Sequence, residues 1–347
     1  MRLKVRKNTR NLFRGTTPSV WNFWKDGVSS SLLSLFLQCR EQARLELVEG
    51  WRSRSEPFYF AYGKCGHWIL EQARCCIKPP DEHWLNAMLK RFDKLWLRDV
   101  GKATSSQREQ QERVYAFAQA QMPVYFKRWA GDWPKKQYPR PTKTPKPVLW
   151  VGTEQKFKIP YRFSDGTETV VFGTRDGVFE DAKKRLWLQD SKFRSMIDDD
   201  VITETLPFDL QQMLYLWAAQ QEGTKLCGTV LDVVRRPGIR DRKGESLKSL
   251  SERIAVDVSD PKRWDHYFTR YGMDVTQNEI REWGEKQLAP LMEDVRRWWD
   301  GTGPHYLNPN ALVSKYGRCA MYAIIVRGNT VGHYKRTNVT DYQQFLG

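Results

Sequence analysis

Val170-Val171-Phe172-Gly173-Thr174-Arg175-Asp176-Gly177-Val178-Phe179-Glu180, a polar corner from Asp181 to Arg185, then Leu186-Trp187-Leu188-Gln189-Asp190-Ser191-Lys192 is the stretch around which the chain is read. Residues 169–180 are rich in Val and Phe, residues 185–192 form a second apolar run, and Asp-Ala-Lys-Lys between them has the composition of a turn. This pattern predicts a β-hairpin. A strand rises about 3.3 Å per residue and paired strands lie about 4.8 Å apart, so Asp176 and Asp190 converge on one divalent ion if the turn sets the register. Side chains alternate along a strand, so Asp190 and Lys192 point one way and Ser191 the other. A cation then stands beside two carboxylates.

The Asp/Glu-x-Lys tripeptide carries little by itself, because it recurs at Glu154/Lys156, Asp181/Lys183, Asp241/Lys243 and Asp260/Lys262. Its setting is what distinguishes Asp190/Lys192. Gly173 to Asp176 lies in the apolar strand before it, and Pro207 to Gln221 after it reads as a helix with Leu210, Leu214 and Trp217 on one face. Gln211 and Tyr215, four residues apart, share another side of that helix. The order Gly-x-x-Asp, hairpin, Asp-x-Lys, Gln-x-x-x-Tyr resembles the PD-(D/E)XK nuclease superfamily, in particular its RecB-like exonuclease branch of phage or bacterial type.

That resemblance implies an α/β fold, a restriction-endonuclease-like core with a mixed sheet flanked by helices, joined to an N-terminal helical subdomain. It implies hydrolysis of DNA, by an exonuclease rather than a sequence-specific endonuclease, with Mg or Mn as cofactor. Asp176, Asp190 and the Ser191 carbonyl would hold the metal, Lys192 would orient water or offset phosphate charge, and Gln211 and Tyr215 would hold side chains and DNA nearby. In Tyr62-Gly63-Lys64-Cys65-Gly66-His67, a histidine opening an apolar helix reads by itself as a packing or capping residue. The family places a metal-ligating histidine there, which adds His67. Glu154, on the strand-like run 148–161, is by itself a solvated or structural acid, and joins the set because family members often carry a glutamate in that strand.

Composition agrees with a nucleic-acid partner. The 347 residues carry 57 Lys and Arg against 41 Asp and Glu, a net charge of +16. Cations of this excess neutralise phosphates and release counterions. A basic soluble protein without such a partner is the bland alternative. Arg175, Arg194, Arg235, Arg236 and Arg240 are the candidate contacts. The chain is too long for a disulfide-stapled scaffold, its six cysteines form no C-x-x-C pair, and it contains no apolar run of about 18 residues. A reduced, cytoplasmic protein is expected, in the host cytoplasm if phage-encoded, with no membrane contact.

In chain order, residues 1–27 form a basic arm with Arg2, Lys4, Arg6, Lys7, Arg10 and Arg14, either a solvated tail or a phosphate contact. Residues 28–133 read as a helical subdomain carrying the His motif, with helices predicted over 29–49, 83–97 and 107–129. Residues 134–147 hold five prolines among Lys and Arg and read as a linker. Residues 148–347 read as the core with a C-terminal extension, including a strand over 226–234 and a helix over 278–299. Asp198, Asp199 and Asp200 are expected in an exposed loop that precedes a helix, since metal ligands need convergence and not adjacency.

Iron-sulfur members of the family have four cysteines. Here only Cys39 and Cys319 occupy such positions, with Leu312 and Ile325 near where others would stand, so no cluster is expected. Family members often act beside a recombinase or helicase. The reading from a different class is a non-catalytic, basic DNA-binding or assembly factor that retains the nuclease fold.

Overall fold

The computed structural model describes residues 20–54, 56–133, 145–314 and 317–336. The basic arm from Arg2 to Arg14 and most of the 134–147 linker lie outside the described residues. The architecture is mixed α/β, a five-stranded sheet with helices on both faces.

Ser29 caps the first long helix, α1 (Ser30–Gln38), by accepting from the Leu32 N–H. The helix expected over 29–49 is interrupted at Cys39, which is extended at φ −163°. A short turn, Arg40–Ala43, restarts there, and the buried Arg40 donates to the Pro304 carbonyl and pairs with Asp294. That anchor fixes a new axis, and a continuous helix would carry Arg40 away from it.

Next come α2 (Phe58–Arg74), α3 (Glu82–Val100) and α4 (Ser105–Arg128). His67 therefore lies in the middle of a helix that begins nine residues earlier, and does not open it. The sheet follows with β1 (Leu149–Arg162), β2 (Glu168–Glu180) and β3 (Leu186–Arg194). Beyond it lie α5 (Asp199–Thr205), α6 (Leu210–Gln221), β4 (Leu226–Arg235), α7 (Leu247–Ser259) and β5 (Phe268–Asp274). The three acids expected in a loop instead start α5. Asp198 caps the Val201 N–H, and Asp199 and Asp200 sit in the first turn, where a helix N-terminus favours negative charge.

The strands lie in the order β1-β2-β3-β4-β5. β1/β2, β2/β3 and β4/β5 are antiparallel. β3/β4 is parallel and is joined through α5 and α6, as a parallel pair requires a crossover. β4 is buried along nearly its whole length, as befits a strand covered on both faces.

One face packs Phe157, Ile159, Val171, Val178 and Leu188 under α1, α6 and the consecutive helical segments Gln277–Trp283, Gly284–Leu288 and Ala289–Trp299. The other packs Val234 and Phe268, with the half-buried Phe193, under α2, α4 and α7. Helices that precede the sheet in sequence thus lie on both of its faces. No helix among the described residues is long and apolar enough to cross a membrane.

Candidate functional site

The site begins at the hairpin. Asp181 accepts from the N–H groups of Lys183 at 2.8 Å and Arg185 at 2.9 Å, and from Trp187 Nε1 at 3.0 Å, which fixes the corner and hence the register. Pairing runs from Glu180/Leu186 to Gly177/Gln189 and stops, leaving Asp176 and Asp190 as the next opposed positions. There the strands part. Ser191 N–H donates to Asp176 Oδ2 at 2.8 Å, so a side chain replaces a ladder partner.

Two helices close on this opening from opposite faces of the sheet. From α2, His67 Nδ1 lies 3.2 Å from Asp176 Oδ2. The approach is close because Gly66 faces β3: a Cβ there would sit 2.1 Å from the Phe193 ring. From α6, Asp209 caps the Gln212 N–H at 3.0 Å and turns Gln211 and Gln212 toward Asp190. Gln211 Nε2 donates to Asp190 Oδ1 at 3.3 Å and to the Tyr215 hydroxyl at 3.2 Å, while its Oε1 accepts from Lys192 Nζ at 2.6 Å. Gln212 Nε2 donates to Asp190 Oδ2 at 2.9 Å, and Lys192 Nζ lies 2.8 Å from the same oxygen. Gly173 has its own reason: a Cβ would stand 2.7 Å from the Phe157 ring and 3.0 Å from that of Tyr215.

Glu154 lies across the β1/β2 ladder from Asp176, between the pairs Thr153/Gly177 and Gln155/Arg175. Its φ of 46° is left-handed, a backbone strain that concentrates at functional positions.

The charges are mutually adjusted. Burial raises Asp176, but His67, Arg74 and Lys192 outweigh it and hold the carboxyl below its ordinary range. Burial and the Asp176 charge raise Asp190 despite Lys192. Burial and Asp176 push Glu154 up to about 7. Burial lowers His67, but Asp176 and Asp190 overcome it and raise the imidazole. Lys192 is likewise raised, by Asp190 and Asp176 against burial. Clustered titratable groups shifted apart in this way are characteristic of functional sites and also of structural ion-pair networks.

Mg or Mn takes hard oxygen donors and tolerates imidazole, and Asp176, Asp190, Glu154, His67 and the Ser191 carbonyl are donors of that kind. Among the described residues no three His, Cys, Asp or Glu side chains stand as a preassembled metal-binding group.

Of the proposed nucleic-acid contacts, Arg194 and Arg235 are partners in the β3/β4 ladder, and Arg236 N–H donates to the Arg194 carbonyl at 2.7 Å. Arg194 and Arg240 are exposed. Arg235 and Arg236 are half-buried, the first beside His266 and the second over the Phe58 ring. Arg194 lies two residues beyond Lys192, about 7 Å along the strand. Arg175 is a correction: it is 5% exposed, 2.7 Å from Glu222 and stacked on Phe157, because alternation turns it to the face opposite Asp176.

Sequence reasoning missed Gln212 and Arg74. Gln212 differs in nothing from a helix-surface glutamine until Asp190 and Thr229 are seen on either side of its amide. Arg74 lies seven residues after His67, two helical turns along the same face, and that spacing is a signal present in the sequence.

The fold and site define an α/β protein with an acidic cluster, a lysine and a histidine at a parting of two strands. No family model matches the chain, and no curated protein matches it. Eleven chains of solved structures match, among them one titled "Crystal structure of SSO0001", with a TM-score of 0.26 and 13% identity over 42% of this chain. The match spans 50% of that chain's length, and likeness at this level bears on neither fold nor function.

Proposed function

We propose that this protein is a divalent-metal-dependent deoxyribonuclease with a restriction-endonuclease-like core, of the RecB-like branch of the PD-(D/E)XK nucleases, acting as an exonuclease in DNA recombination, repair or replication. The observation that carries this reading is the convergence of Asp176, Asp190, Lys192, His67 and Gln211, from two strands and two helices, on the point where β2 and β3 part. The arginines at the end of β3 and β4 extend the site toward a phosphate backbone.

Asp176, Asp190, His67 and the Ser191 carbonyl would hold one or two Mg or Mn ions. Such ions polarise a scissile phosphate and lower the pKa of a bound water. His67 holds the Asp176 carboxylate in place, and Gln212 and Gln211 do so for Asp190. Lys192, steadied by Gln211, is the cation positioned to orient water or offset charge developing on the phosphate.

The test is Mg-dependent degradation of linear duplex and single-stranded DNA by wild type and Asp190→Asn, with blocked 5′ or 3′ ends to read polarity. Loss of a metal-ligating carboxylate is expected to reduce cleavage by at least about 100-fold. Equal cleavage by both proteins would overturn the assigned site. A second reading, a DNA-binding factor without catalysis, is favoured by the Asp190–Lys192 ion pair, which satisfies the carboxylate without metal. It prevails if neither protein cuts and both bind DNA with steep salt dependence.

A further inference from the structure

Where the β2/β3 ladder ends, two buried residues, Asp176 and Ser191, need partners for backbone groups that no longer pair across the strands. An unsatisfied buried group costs about 1–3 kcal/mol, so each must be met. The Ser191 N–H is met by Asp176 Oδ2. The Asp176 carbonyl is met by Arg74 Nη1 at 2.6 Å, and Arg74 Nη2 donates to Ser191 Oγ at 2.8 Å. One guanidinium thus spans the gap, with one nitrogen on each strand.

Arg74 is 6% exposed and lies over the Trp150 ring, 4.9 Å from its centroid. The absence of a side chain at Gly177 leaves room for that ring: a Cβ there would stand 2.7 Å from Trp150. Among the described residues no carboxylate comes within ion-pair distance of Arg74. A buried cation without a salt bridge is costly, and its compensation must come from nearby negative charge. The Arg74 charge helps to hold Asp176 below its ordinary range and opposes the burial that raises Glu154, so that negative charge lies in the acidic cluster.

We infer that Arg74 is a positioning residue for the metal site, a spacer that keeps β2 and β3 apart so that Asp176 and Asp190 face a gap. The inference rests on the nuclease reading and adds to it a residue from outside the family-like motifs. A planar fork suits the role, because two fixed donors reach two strands at once where an ammonium gives one point contact. With Arg74 gone, the Asp176 carbonyl would lose its partner, and the strands could zip past Gly177 and draw the carboxylates together.

Calorimetric titration of Mn2+ into wild type, Arg74→Met, Arg74→Lys and Asp190→Asn, without DNA, tests this. Thermal melting of each protein reports folding separately. Arg74→Met is expected to bind Mn2+ about tenfold more weakly, as loss of a group supporting metal ligands does. Arg74→Lys is expected to fall between it and wild type. Wild-type affinity in a folded Arg74→Met, whatever its melting temperature, would overturn the role. If Arg74→Met does not fold, Arg74→Lys decides in the same way. Wild type that binds no Mn2+ removes the nuclease reading and this inference together, whereas undiminished binding by the Arg74 variants removes only the latter.

Discussion

At the scale of single residues, two buried or half-buried acids beside the site make distinct predictions. Asp181 is a polar corner residue in the sequence, yet it is buried and accepts from Lys183, Arg185 and Trp187. Asp181→Ala would leave a buried indole N–H without its partner, and is expected to lower stability by about 2–3 kcal/mol in denaturant unfolding. Glu154 carries the opposite lesson. Its carboxyl is raised to about 7 in the folded protein, above the roughly 4.3 of an unfolded chain. The folded state therefore holds this proton more tightly, and stability falls as pH rises from about 4.3 to 7 and stays reduced above. Glu154→Gln should melt higher than wild type at pH 8, by about 2 °C, with no gain at pH 4. An equal gain at both pH values would mean that the carboxylate charge is not the cause. Asp176, Asp190 and Lys192 were legible because alternation and register are local rules. Gln212 was not, since nothing local marks a glutamine whose partner is 22 residues away, and Arg74 was marked only by its helical spacing from His67, which does not show what it bridges.

At the scale of elements, α2 is the piece whose placement matters most to the site. It carries Gly66 against Phe193, His67 to Asp176 and Arg74 across the strand gap. Gly66→Ala would put a methyl group 2.1 Å from the Phe193 ring, so ring or helix must shift. Overpacking of this kind costs about 1–3 kcal/mol, and the displaced helix is expected to weaken Mn2+ binding as well as lower the melting temperature. A lower melting temperature with unchanged metal affinity would show that Phe193 alone yields. The hairpin, α6 and β4 were legible from apolar runs, turn composition and helical period. β5 was not. Its residues, Phe-Thr-Arg-Tyr-Gly-Met-Asp, place Arg270 at an inward position and so break the apolar alternation that marks a strand.

At the scale of the whole molecule, Arg270 explains its own concealment. It is paired with Asp132 at 2.5 Å and with Asp232 at 3.2 Å, and lies 4.0 Å from the centroid of the Trp129 ring. Tyr125 and Gln189 donate to the same Asp232. This buried network ties the residues around the end of α4 to β3, β4 and β5, directly behind Asp190. Arg270→Met would strand two buried carboxylates, and is expected to cost about 3–5 kcal/mol in denaturant unfolding. Removing the charges together, with Asp132→Asn and Asp232→Asn added, should recover much of that loss. Failure of the triple variant to recover would assign the cost to packing on Trp129. The local sequence determined the hairpin, the crossover helix, the sheet's longest strands and the identity of the acids, because periodicity and turn chemistry act over a few residues. The tertiary structure decided the break at Cys39, the edge strand β5, the inward turn of Arg175 and the bridging place of Arg74. Each of these rests on a charge or hydrogen-bond partner supplied by a distant segment, and buried charge becomes tolerable only once folding brings that partner within reach.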